Sequence, residues 1–89
     1  MTQPTITMYM TGWCSYCARA KRLLSSKNLH INEINVEDDA KFREEMVIRS
    51  KARTVPQIFI GDKHIGGCDD LVALDRSGEL DRLIGQSIT

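Results

Sequence analysis

The chain has 89 residues, 42% of them hydrophobic, and its 12 lysines and arginines balance 12 aspartates and glutamates. A chain of this length supports one hydrophobic core, so residues 1–89 are predicted to form a single domain. The zero net charge gives no general attraction to nucleic acid or to an anionic membrane surface, and no stretch approaches the roughly 18 apolar residues of a membrane span.

The first half of the chain is predicted to alternate strands with helices. Apolar residues alternate with polar ones in the strands and recur at helical spacing in the helices, and Thr11-Gly12 breaks the first strand. Asp38 or Asp39 is the predicted cap of the second helix, whose apolar residues include Phe42. The predicted segments are a strand at 5–10, a helix at 15–28, a strand at 31–36 and a helix from the cap to about 51.

The second half differs in kind, because two β-prone segments are separated only by Gly61-Asp62. Residues 57–60 and 63–65 are therefore predicted to form an antiparallel hairpin. A helical tail follows, broken in two at Ser77-Gly78. The order β-α-β-α-β-β-α predicts an α/β fold with a four-stranded mixed sheet and helices on both faces.

The strongest chemical signal is Cys14-Ser15-Tyr16-Cys17, at the junction of the first strand and the first helix. Unpaired N–H groups and the positive dipole end at a helix N-terminus stabilise a thiolate, so Cys14 is predicted to be the nucleophile. Cys17 returns to the same side of the helix and is predicted to be more buried and less ionised. The pair is therefore predicted to be redox-active, with Cys17 as the resolving thiol.

Two other interpretations of the cysteine pair are open. Cys14 and Cys17 could be half of a zinc site completed by His64 and Cys68, or a purely structural pair. A second cysteine inside a helix that follows a strand favours redox chemistry, since zinc knuckles usually present both cysteines from a turn. His30 and His64 have no partner visible in the sequence and are predicted to be exposed.

Two further segments carry weaker signals. Thr54-Val55-Pro56 enters a strand, and an ordinary trans turn is the simplest interpretation of the proline. Gly66-Gly67-Cys68-Asp69 precedes a helix, where close backbone approach and free N–H groups suit a carboxylate. A hairpin exit with an aspartate cap is the alternative for this second segment.

These three motifs, in this order, resemble the glutaredoxin family, in particular its small dithiol bacterial members. The resemblance covers the chain from Thr5 to about Leu83 and implies a thioredoxin-like fold. It also implies an enzyme, a glutathione-dependent oxidoreductase that reduces protein disulfides and glutathione mixed disulfides. In place of the lysine that the family commonly carries before the first cysteine, this chain has Thr11-Gly12-Trp13.

The resemblance also implies a glutathione site. Pro56 is expected to be a cis-proline that turns the backbone of Val55 outward to pair with the cysteinyl unit of glutathione. The γ-glutamyl carboxylate is expected on the N–H groups of Cys68 and Asp69. Arg43 is the expected contact of the glycine carboxylate, with a solvated helix face as the alternative. The complete expected set is Trp13, Tyr16, Arg43, Thr54, Val55, Pro56, Gly67, Cys68 and Asp69.

The same resemblance sets the expected cofactors and partners. No bound cofactor is required, glutathione is the reductant, and the substrates are glutathionylated or disulfide-bonded proteins. A monomer is the expected state. The expected location is the cytoplasm, since Met1-Thr2-Gln3-Pro4 shows no targeting pattern. The alternative is a dimeric carrier of a [2Fe-2S] cluster, ligated by Cys14 of each subunit and two glutathione molecules. Cys68 is expected to be a packed residue, with a secondary oxidation site as the alternative.

Overall fold

A computed structural model describes residues 4–85 of the chain. The N-terminal residues 1–3, on which part of the targeting expectation rests, lie outside this range. Among the described residues, no helix combines the length and the apolar character needed to cross a membrane. The elements are β1 (Ile6–Met10), α1 (Ser15–Ser25), β2 (Ile31–Asn35), α2 (Ala40–Ser50), β3 (Gln57–Ile60), β4 (Lys63–Gly66), α3 (Cys68–Ser77) and α4 (Glu79–Leu83).

The four strands form one mixed sheet in the order β2-β1-β3-β4. β1 is parallel to β2, to which it is connected through α1, and antiparallel to β3. β3 and β4 form the predicted antiparallel hairpin, with Ile60 opposite Lys63. The predicted α/β architecture with a four-stranded mixed sheet is confirmed.

Alternation along the strands divides the core between the two faces of the sheet. Ile6 and Met8 of β1 lie in the larger cluster, where they pack with Leu24 of α1 and Leu71 of α3. Tyr9, on the opposite face, belongs to a smaller cluster with residues of α2 and β3. The sheet is therefore covered on both sides, and the loops at the C-terminal end of β1 remain free to carry the site.

α1 and α2 end before the predicted final residues, Asn28 and Lys51, both of which have a left-handed backbone. α1 ends at Ser25, before Asn28, which has a φ of 60°. Asp39, one of the two predicted caps, accepts a hydrogen bond from the Lys41 N–H at 2.9 Å. Phe42 is 38% exposed, because α2 turns Met46 rather than Phe42 toward the sheet.

A bulge and a glycine direct the end of β4 toward α3. The register shifts between the pairs Ile58–Gly66 and Phe59–His64, so β4 carries one extra residue. Gly66 has a φ of 118°, and a Cβ there would lie 2.3 Å from the Asp70 carboxylate. That carboxylate accepts a hydrogen bond from the Gly67 N–H at 3.0 Å, which fixes the first turn of α3.

Candidate active site

Cys14 occupies the N-cap position of α1, with an extended backbone (φ −102°, ψ 110°). Its carbonyl accepts a hydrogen bond from Ala18 at 3.1 Å, and its sulfur accepts one from the Cys17 N–H at 3.1 Å. The thiol lies 3.8 Å from the Val55 carbonyl oxygen, to which it can donate. The Cys14 sulfur therefore lies at the N-terminal end of α1, where it is hydrogen-bonded to a backbone N–H group of the first turn.

Cys17 has the opposite environment, since only 3% of it is exposed. Burial, followed by the hydrogen bond with Cys14, raises the pKa of the Cys17 thiol to about 12, against a smaller lowering by a hydrogen bond with the Thr11 backbone. The two thiols are not joined in a disulfide. The predicted burial of Cys17 is confirmed, since Cys14 is only half-buried, and the raised pKa agrees with the expectation that Cys17 is little ionised at neutral pH.

The raised pKa of Cys17 gives a pH dependence of stability in the reduced protein. The folded state holds the proton more tightly, so this stabilisation is complete below the ordinary thiol value of 9.0 and is lost as the pH rises toward about 12. One such group changes the free energy of unfolding by at most about 1.4 kcal/mol per pH unit. We expect Cys17→Ala to lose less stability than the wild type across this range.

Urea unfolding from pH 8 to pH 11, in a thiol-free phosphine reductant, measures this difference. Tyr9 and Lys27 also have raised pKa values, Tyr9 through burial and Lys27 through its bonds to Asp75 and Asp81. Both remain in the variant, so they contribute equally to the two curves. Parallel curves for wild type and Cys17→Ala would contradict the assignment.

A groove of about 350 Å³ lies beside the Val55 carbonyl, between the loop before β3 and the start of α3. The Val55–Pro56 peptide bond at its edge is cis, as the resemblance implied. Gly67 lies against the opposite side, and a Cβ there would be 3.5 Å from the Pro56 carbonyl. The groove brings together seven of the expected residues, namely Tyr16, Thr54, Val55, Pro56, Gly67, Cys68 and Asp69.

Cys68 is the first residue of α3 and lies at the groove, although the residue is buried. Burial raises the pKa of its thiol, opposed by the nearby charge of Arg19. A buried, protonated thiol is a poor nucleophile. Cys68 therefore fits the expectation of a packed residue. The unpaired N–H groups of the first turn of α3 point toward the N-terminal end of the helix, which lies at the groove.

Two of the nine residues expected at the glutathione site lie outside the groove, and Cys14 and Cys17 line a separate cavity. Trp13, next to Cys14 in the chain, is 94% exposed. Arg43 is exposed on α2 and lines a separate cavity of about 490 Å³ together with Arg53. Of the proposed zinc ligands, His64 has its Nε2 bonded to Gln57 at 2.7 Å, and no group of three metal-ligating side chains forms among residues 4–85.

Comparison with known proteins identifies the family. The glutaredoxin family model matches residues 6–65. Glutaredoxin 3 of Escherichia coli K12 is 53% identical over 79 residues, which cover 89% of this chain and 95% of the relative.

The chain therefore belongs to the glutaredoxin family. Solved glutaredoxins share the whole architecture: that of Brucella melitensis is 46% identical, with a TM-score of 0.83 over 99% of this chain and 98% of that one. A buckwheat glutaredoxin solved in complex with glutathione is 28% identical, with a TM-score of 0.84 over 93% and 78% of the two chains. As a glutaredoxin, the chain is a glutathione-dependent thiol-disulfide oxidoreductase.

The glutaredoxin groove contains three further polar side chains that the sequence patterns did not predict there, Gln57, His64 and Asp70. His64 is exposed, as predicted, but it has a partner. The sequence signal that points to this contact is the position of Gln57 in an otherwise apolar strand. The turn at Gly61-Asp62 also predicts the pairing of His64 with Phe59 across the hairpin.

Proposed function

We propose that Cys14 and Cys17 perform this activity by two routes that share one nucleophile. The observation that carries the proposal is the position of the Cys14 sulfur, at the N-terminus of α1 and 3.8 Å from the Val55 carbonyl at the groove edge. A nucleophile there meets the sulfur of a peptide that pairs with Val55. The buried Cys17 then serves as the internal resolving thiol.

We propose that the groove binds glutathione. Its volume, about 350 Å³, is in the range of small-molecule sites. The backbone of Val55, before Pro56, pairs with the cysteinyl unit, and the γ-glutamyl carboxylate meets the N–H groups of Cys68 and Asp69. Gly67 allows close approach, and Tyr16 and Thr54 form the walls. Trp13 and Arg43 contribute only contacts with the ends of the tripeptide or with the attached protein.

In the glutathione route, the Cys14 thiolate attacks the glutathione sulfur of a mixed disulfide. A disulfide forms between Cys14 and glutathione, and the substrate protein leaves as a thiolate. A second glutathione attacks this intermediate, releasing oxidised glutathione and the Cys14 thiolate. In the protein-disulfide route, Cys17 resolves the mixed disulfide between Cys14 and the substrate, and two glutathione molecules then reduce the Cys14–Cys17 disulfide.

Cys17→Ser separates the two routes. We expect the variant to reduce a glutathionylated peptide within about threefold of the wild-type rate, because Cys14 alone carries that route. We expect its reduction of protein disulfides to fall by more than about tenfold. Intact-mass spectrometry of the variant treated with oxidised glutathione should show one attached glutathione. Equal loss of both activities, with the fold intact, would refute the division of roles.

We further propose that the protein acts as a monomer in the cytoplasm, with glutathione as its reductant and no bound cofactor. This proposal is supported by the cysteine pattern, because three cysteines with two of them in a Cys-x-x-Cys are typical of reactive thiols in a reducing compartment and not of a disulfide framework. The [2Fe-2S] alternative stays a prediction: it uses Cys14 of two subunits. Visible absorbance after anaerobic reconstitution with glutathione, together with a dimer on gel filtration, would demonstrate it.

A further inference from the structure

Gln57 is a polar side chain in the buried central strand β3, with only 4% of the residue exposed. Its Nε2 donates to the Thr54 carbonyl oxygen at 3.0 Å and lies 3.2 Å from the Thr54 hydroxyl. Its Oε1 lies 2.7 Å from His64 Nε2. Both ends of a buried amide are therefore satisfied, and one of them holds the segment before Pro56.

The Thr54 carbonyl determines how this amide is oriented. A carbonyl oxygen can only accept, so the NH₂ group of Gln57 must face Thr54 and its Oε1 must face His64. His64 Nε2 must then carry a hydrogen and donate it. A reversed amide would set two oxygens against each other at Thr54, so His64 fixes Gln57 in the orientation that Thr54 requires.

The imidazole of His64 is itself held by packing on the same face of the sheet. His64 lies opposite Phe59 in the β3–β4 ladder, and their rings are 4.9 Å apart between centroids. The Arg49 guanidinium lies 4.1 Å from the Phe59 ring centroid and donates to the Tyr9 hydroxyl at 2.9 Å. These contacts connect α2 and β1 to the ring that orients Gln57.

The bond to Thr54 has a direct effect on the next residue. The Thr54 carbonyl and the Val55 N–H belong to one planar trans peptide unit, in which the two groups point in opposite directions. Fixing the oxygen toward Gln57 therefore fixes the Val55 N–H away from it. The Val55 N–H is the group that must donate to a strand-paired peptide.

We propose that Gln57 and His64 form a relay that positions the Val55 peptide for glutathione, with Gln57 acting on Thr54 and His64 acting on Gln57. This inference rests on the proposed function, because it assumes that the cysteinyl unit pairs with Val55. The relay touches no reacting atom. Its effect is on substrate binding, while the attack by Cys14 is unchanged.

Gln57→Met tests the relay while keeping a side chain of similar length in the core. We expect the KM for a glutathionylated peptide to rise about five- to tenfold, as expected for one lost hydrogen bond, with kcat within about twofold of wild type. A merely structural role would lower the amount of active enzyme and leave the KM of the remainder unchanged.

His64→Phe is the second variant, and it keeps an aromatic ring against Phe59 on an exposed position. We expect a smaller rise in KM. In the double variant we expect the KM of Gln57→Met alone, since both changes break one relay. His30→Phe, at the exposed position immediately before the opposite edge strand β2, is the matched control and should keep the wild-type KM. Independent, multiplying effects of Gln57→Met and His64→Phe would overturn the relay.

Backbone amide NMR gives a readout without substrate. In Gln57→Met, we expect the amide signal of Val55 to shift and broaden and that of Met8 in the sheet to stay unchanged. Changes spread evenly over the core would assign Gln57 to stability alone and overturn the inference. If the wild type fails to reduce the glutathionylated peptide, the proposed function and the relay both fall. If the wild type is active and Gln57→Met keeps its KM, only the relay falls.

Discussion

Cys14→Ser is expected to lower the reduction of both glutathionylated peptides and protein disulfides by at least about a thousandfold, because a serine hydroxyl is not ionised at neutral pH and is a far weaker nucleophile toward disulfide sulfur. Neither remaining thiol can replace Cys14, since burial raises the pKa values of Cys17 and Cys68. The rate of NADPH oxidation, coupled through glutathione reductase, measures both reactions.

Two controls separate this chemistry from folding. The variant should keep the wild-type thermal unfolding midpoint to within a few degrees, since Cys14 is only half-buried at a helix end. It should also resist alkylation by iodoacetamide under conditions that modify the wild type once. Residual activity above about one tenth of wild type would show that a thiol other than Cys14 attacks the substrate.

Leu71→Ala is expected to produce the largest loss of stability among single changes near the groove. Leu71 is 0% exposed, lies in the core cluster under the sheet, and donates its N–H to the Gly67 carbonyl at 3.0 Å. Truncating such a leucine costs about 2–5 kcal/mol, a large share of the about 5–15 kcal/mol that holds a small protein folded. Urea unfolding measures the change through the midpoint.

The matched control is Leu74→Ala, the same substitution on the same helix. Leu74 only packs against the edge of that cluster, so we expect a loss less than half as large. A similar loss at both positions would mean that the docking of the helix as a whole, and not the buried cavity, determines the stability of α3. An unchanged urea slope in both variants is required for the comparison.

The sequence predicts the fold well because its signals are local. The alternation of strand and helix patterns in the first half and the two-residue turn at Gly61-Asp62 together define a mixed sheet, and the structure contains it. The position of Cys14 follows from the same signals, since a strand that ends at Thr11-Gly12 and a helix that begins at Ser15 leave it at the cap.

What the sequence does not predict depends on contacts between distant residues. No local pattern in the sequence shows whether Arg43 faces the groove or lies beside Arg53. The structure places it beside Arg53. The bond between Gln57 and His64 requires the hairpin register, and its connection to Arg49 requires the packing of α2 on the sheet. Phe42, Met46 and Val47 are the apolar residues predicted for α2, and of these the structure buries Met46 and leaves Phe42 38% exposed.

The burial of Cys17 also affects the rates of the thiol-disulfide exchange steps in which its sulfur takes part. When glutathione opens an internal Cys14–Cys17 disulfide, the accessible sulfur is that of Cys14, so Cys17 must depart as the leaving group. A thiol whose pKa is raised to about 12 departs slowly, and it is equally slow to ionise for its own attack on a mixed disulfide. The protein-disulfide route therefore contains two slow steps at Cys17, the formation and the opening of the internal disulfide, which the glutathione route avoids.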